Sequence, residues 1–160
     1  MRKLSVLNDY VFEAGANEER ENALTEALIG YNREHAPLWE QNHDAQFQPL
    51  PLQLFVLDSG GALIGGLTGR THSLRAWLET SILWVDEAHR GRGVGRELVK
   101  RAEEEARQRG CLYARLSTST FQAPGFYEKL GYTLYGKLED CPPGDTSLYY
   151  RKNLRLKETA

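Results

Sequence analysis

The chain has 160 residues, 41% hydrophobic and 26% charged, with a formal net charge of -2. That suits one soluble globular domain with a real core and excludes collagen-like, mucin-like and wholly disordered chains. The balance supplies no global basic field for nucleic acid or anionic lipid, and Cys111 and Cys141 are too few for a disulfide scaffold or a four-ligand zinc site.

No stretch approaches the ~18–20 apolar residues of a membrane span, and no secretory-length apolar run follows Met1–Ser5. The expectation is a cytoplasmic protein without nucleic-acid or membrane partners. Residues 4–12 read as a first strand. Glu18–Glu34 reads as a helix, because Ala23, Leu24, Ala27, Leu28 and Tyr31 recur at helical spacing; Gly30 weakens its last turns. Residues 35–50 read as a loop. Leu52–Leu57, 62–72 and 76–85 then follow as strands without intervening helices, an antiparallel meander with a turn at Asp58–Gly61.

Gly93–Arg109 is a strongly amphipathic helix, with Val94, Leu98, Ala102 and Ala106 on one face and Gly110 as its stop. Residues 111–118 form a strand, and Pro124 opens a short helix that Gly131 ends. Residues 132–138 and 146–152 close as strands around a turn at Cys141–Asp145. Residues 1–155 read as one domain and 156–160 as a frayed tail.

The segment from Leu83 to Arg96 runs from an apolar strand through a glycine- and arginine-rich loop into the amphipathic helix. Gly91, Gly93 and Gly95 let backbone amides approach a ligand, and the first helical turn leaves N–H groups unpaired. With Arg90, Arg92 and Arg96 nearby, this is an anion site suited to phosphate. No Lys-Ser or Lys-Thr follows, as a Walker loop needs. The G-x-G-x-G spacing also departs from the dinucleotide fingerprint.

Arg90-Gly91-Arg92-Gly93-Val94-Gly95 resembles the R/Q-x-x-G-x-G/A signature of the GNAT superfamily of acyl-CoA-dependent N-acyltransferases. Gln122–Tyr132 (QAPGFYEKLGY) is similar to that family's second signature. The resemblance implies an α+β fold: a mixed, largely antiparallel, twisted sheet of six to seven strands flanked by helices. It implies acetyl-CoA as acyl donor, with its pyrophosphate on Arg90 and the amides of residues 91–96. The pantetheine arm would pair like an extra strand with the backbone of Leu83, Trp84 and Val85. Where many members carry Asn at a pantetheine contact, this chain has Thr120.

The implied reaction is direct attack of a primary amine on the thioester. By position, Tyr127 matches the general acid for the leaving thiolate. Glu79 lies on the strand where several members carry a base, and strand alternation places it on the face of Ser81 and Leu83, opposite Trp84. A solvated strand carboxylate is the competing reading. His35, His43 and His72 are alternative bases. No H-E-x-x-H spacing occurs, so no metal is expected.

Aromatic walls for the acceptor come from Tyr31, Trp39, Trp77 and Tyr135. Glu40, Asp44, Glu79, Glu139 and Asp140 would attract a cationic amine. The alternatives are a longer acyl group or a non-catalytic acyl-CoA sensor. The closing strands offer a surface for a homodimer.

Overall fold

The computed structural model describes residues 14–36, 48–73 and 75–155. The strand expected at 4–12, most of the loop at 35–50 with Trp39, Glu40, His43 and Asp44, and the tail at 156–160 lie outside the described residues. The chain divides into two compact units, Met1–Glu40 and Gln41–Ala160.

In the first unit, α1 runs over Glu18–His35. Asn17 caps it by accepting the N–H of Arg20 at 2.9 Å. Glu18, Glu19 and Glu21 in the first turn, with Arg33 and His35 in the last, oppose the helix dipole. The helix continues through Gly30. Its last turn is held locally: His35 Nδ1 donates to the Tyr31 carbonyl at 2.8 Å, and the two rings stack at 4.0 Å.

The second unit holds strands β1 (Leu50–Leu57), β2 (Leu63–His72), β3 (Trp77–Val85), β4 (Tyr113–Ser119), β5 (Thr133–Glu139) and β6 (Thr146–Asn153). Its helices are α2 (Val94–Gln108) and α3 (Pro124–Lys129). The strands form one sheet in the order β1-β2-β3-β4-β6-β5. β3 and β4 are parallel and joined through α2, as parallel neighbours require; the other neighbours are antiparallel. This is the mixed, largely antiparallel α+β architecture expected from the sequence. Of the two closing strands, β6 is paired on both sides, so among the described residues β5 is the one of the two with a free edge.

The core lies between the sheet and α2. Leu52, Leu67, Leu78, Leu116 and Tyr150 meet Leu98, Val99, Ala102 and Ala106, all nearly inaccessible. Buried Glu103 on α2 is matched by Lys152 on β6, whose Nζ reaches both carboxylate oxygens at 2.8 and 2.7 Å. The expected stop at Gly110 is a paired cap. Gly110 adopts φ +83° and its N–H binds Arg107, while the N–H of Cys111 binds Ala106. Gly131, at φ +84°, ends α3 in the same way, with the N–H of Tyr132 on the Tyr127 carbonyl at 3.1 Å.

One irregularity rephases β3. Thr68 pairs with Ile82 and the next residue, Gly69, pairs with Thr80, so Ser81 has no partner in β2. Leu78, Thr80, Leu83 and Val85 oppose the inward residues of β2, whereas Glu79, Ile82 and Trp84 oppose its outward residues. The simple alternation expected from the sequence is therefore wrong here. Glu79 shares the face of Trp84, not that of Leu83, because the extra residue shifts every side chain beyond it. Gly69 makes the bulge possible: a Cβ there would stand 2.3 Å from the Glu79 carbonyl oxygen. Gly69→Ala is expected to destabilise the chain by about 2 kcal/mol. Urea unfolding checks this as a lower midpoint.

Candidate active site

β3 and β4 pair only from Trp77–Thr80 against Tyr113–Leu116. Beyond the bulge they part. Ile82–Val85 keeps β2 on one side and loses β4 on the other; Ser117–Ser119 keeps β6 and loses β3. The gap is a notch of about 1000 Å³. Its walls are β3 from Ser81 to Val85, Ser117 and Thr118 of β4, and Phe121–Ala123. Phe126 and Tyr127 of α3 and the segment entering α2 complete it. Each parted strand turns an open main-chain edge toward it, a surface that an extended ligand can pair with.

The loop at the end of β3 is braced from within. Asp86 accepts the N–H of Ala88 at 3.0 Å and that of His89 Nδ1 at 3.2 Å, closing a 3-10 turn at Glu87–His89. These bonds, that of His89 first, hold the Asp86 carboxyl below its ordinary pKa. Arg90 folds back, donating Nε to the Val85 carbonyl at 3.0 Å. Gly91 and Gly93 then take positive φ, +73° and +87°, which glycine adopts without strain.

Helix α2 begins at Val94, one residue later than expected, with Gly93 as its cap residue and no side-chain cap. Its first internal bond is Glu97 N–H to the Gly93 carbonyl at 3.0 Å. The amides of Val94, Gly95 and Arg96 therefore have no intrahelical acceptor. The contrast with α1 is direct: there an asparagine occupies the bare end, whereas here it opens onto the notch. Bare amides, the positive end of the dipole and the Arg90 and Arg96 side chains fit a diphosphate. A Cβ on Gly95 would meet the Phe126 ring at 3.4 Å and Val85 at 3.7 Å, so α2, α3 and β3 converge closely there.

Tyr127 is half-buried in the notch wall. Its ring packs edge-on against Phe126 at 5.1 Å and Tyr132 at 5.9 Å, and tilted against Tyr150 at 6.4 Å. Burial pushes its phenol above the ordinary tyrosine pKa. Among the described residues its hydroxyl has no hydrogen-bond partner, whereas the hydroxyl of Tyr150 donates to Glu128 at 2.8 Å.

The notch thus brings together Leu83, Trp84, Val85, Arg90, Gly91, Gly93, Val94, Gly95, Arg96 and Tyr127 from the sequence reading. Arg92, Thr120 and Glu79 do not line it. Thr120 instead donates its hydroxyl to Asp145, and its N–H binds the Thr146 carbonyl at 3.1 Å. Glu79 is held by Arg115 at 2.8 Å and lies 3.4 Å from His72 Nε2. The Arg115 guanidinium in turn sits 4.0 Å from the centre of the Trp77 ring. Burial lowers the His72 pKa, and Glu79 opposes that shift. Two strands, β4 and β6, lie between Trp77 and Glu79 on β3 and Tyr135 and Glu139 on β5, so these acceptor candidates do not converge.

Sequence reasoning missed Ser81, His89, Ser117, Thr118, Phe121 and Gln122 as lining residues. Phe121 sits beside the second motif and Gln122 is its first residue, the one signal that pointed to them.

The Acetyltransferase (GNAT) family description matches residues 17–132. The chain is 31% identical over 144 residues to acetyltransferase Atu2258 of Agrobacterium fabrum, covering 90% of this chain and 98% of that one. It is 46% identical over 95 residues to the blasticidin-S acetyltransferase of Streptomyces morookaense, covering 59% and 68% of the two chains. An acetyltransferase from Bacillus cereus superposes with a TM-score of 0.69 at 28% identity, over 89% of this chain and 97% of that one. Strand order, glycine loop and family match agree: the chain is an acyltransferase enzyme and belongs to the acetyltransferase (GNAT) family.

Proposed function

We propose that the chain transfers the acetyl group of acetyl-CoA to a primary amine on a small molecule. One observation carries this reading: the open edge of β3, the uncapped start of α2 and the Tyr127 phenol share a single notch. When bound, acetyl-CoA supplies an activated thioester. The amides of Val94–Arg96 with Arg90 and Arg96 hold its pyrophosphate, and the β3 edge aligns the arm through main-chain hydrogen bonds. Tyr127 donates a hydrogen bond to the departing sulfur. A buried phenol above 10 facing a thiol near ~8.5 shares its proton rather than surrendering it. The relative that acts on blasticidin-S favours a small-molecule acceptor.

Glu79, paired with Arg115 outside the notch lining, has no place in this proton path. The amine then reacts in its neutral form, a minor fraction below an alkyl-amine pKa of about 10. For such acceptors, kcat/KM is expected to rise with unit logarithmic slope from pH 6 to 9. A plateau near pH 7 would reveal an enzymic base. The test is thiol release from acetyl-CoA with a panel of amines that includes blasticidin S. Amine-dependent release supports the proposal; donor binding without release for any amine contradicts it.

A further inference from the structure

We infer that Gln122 binds the pantetheine arm, donating from Nε2 to an amide carbonyl across the notch from β3. The inference rests on the reading of the notch as an acetyl-CoA site.

The side-chain amide is oriented by its surroundings. The N–H of Ser119 can only donate, so the Gln122 atom 3.0 Å away is the oxygen, Oε1. The Thr118 hydroxyl donates to the same oxygen at 2.7 Å. Both acceptor positions of Oε1 are thereby used, and the planar amide turns Nε2 away from these two donors. Among the described residues Nε2 has no partner.

Gln122 lines the notch on the β4 side, opposite the open edge of β3. The Thr118 hydroxyl on this wall is already committed to Gln122, and the neighbouring Thr120 hydroxyl, outside the lining, to Asp145. A tethered amide with both N–H groups unspent is a preorganised donor, and its natural complement is a carbonyl oxygen. The pantetheine arm carries two secondary amides. One of their carbonyls is bracketed between the β3 backbone and Gln122.

Gln122→Glu isolates the donor. It keeps an oxygen for Ser119 and Thr118 and replaces only the amide nitrogen. Calorimetric titration with acetyl-CoA and with 3′-phosphoadenosine 5′-diphosphate, which has the pyrophosphate but no arm, separates arm from nucleotide. The expected result is about tenfold weaker acetyl-CoA binding, with the nucleotide unchanged within about twofold. Gln122→Met, which adds no charge, should weaken acetyl-CoA in the same selective way. Unchanged acetyl-CoA affinity overturns the inference, and so does equal weakening of both ligands. A parent chain that binds no acetyl-CoA overturns the reading of the notch itself, a distinct outcome.

Discussion

Replacing Tyr127 by Phe is expected to lower kcat about a hundredfold while leaving the unfolding midpoint close to that of the parent chain. The two halves of this expectation have separate causes. The ring packs against Phe126, Tyr132 and Tyr150, and Phe preserves those contacts. The hydroxyl bonds no described protein group, so its removal breaks no internal hydrogen bond. What the hydroxyl supplies is a donor to the sulfur as negative charge develops there. The donor KM should change little, because the bond strengthens mainly as the thioester opens. The active form is the protonated phenol, and burial raises its pKa. This role is therefore retained up to about pH 10 and is lost only as pH climbs through the raised value. Steady-state thiol release with the Phe variant checks the claim; an unchanged kcat would reduce Tyr127 to a packing residue.

The second large effect concerns Gly93. Alanine at φ +87° costs about 1–2 kcal/mol, although a Cβ there meets nothing within 4 Å. The chain relieves that strain by rotating out of the left-handed region, which moves the amides of Val94–Arg96 off their common aim. Gly93→Ala is expected to weaken acetyl-CoA binding about thirtyfold, with a small loss of stability. Gly95→Ala is the matched control. Gly95 is helical without positive φ, and its Cβ would make ordinary contacts at 3.4–3.7 Å. Ala there should fold at least as well as the parent and bind within about threefold. Equal affinities for the parent and the Gly93 variant would remove the loop from donor binding.

Elements whose signals are local were legible in the sequence. The amphipathic stripe of α2, its stop at Gly110 and the Pro124–Gly131 bracket of α3 each depend on residues a few positions apart. The two motifs placed most of the notch wall for the same reason. The bulge at Ser81 was hidden because it depends on how β2 lies against β3. Nothing in the run Gly65–Gly69 marks which glycine faces a carbonyl at 2.3 Å. That single unpaired residue moved Glu79 to the other face. The tie from Thr120 to Asp145 spans 25 positions and was equally invisible. Gln122 was quoted within a motif, yet its role depends on which of its atoms faces the Ser119 amide.

In the proposed complex a donor arm lies along the open edge of β3 with its diphosphate on the start of α2. Hydrogen–deuterium exchange with and without acetyl-CoA reads those amides individually. Slowed exchange is expected within Ser81–Val85 and Arg90–Arg96, with β1 and the β1–β2 turn unchanged. Exchange that is unaltered in both segments, or slowed uniformly across the sheet, would contradict it.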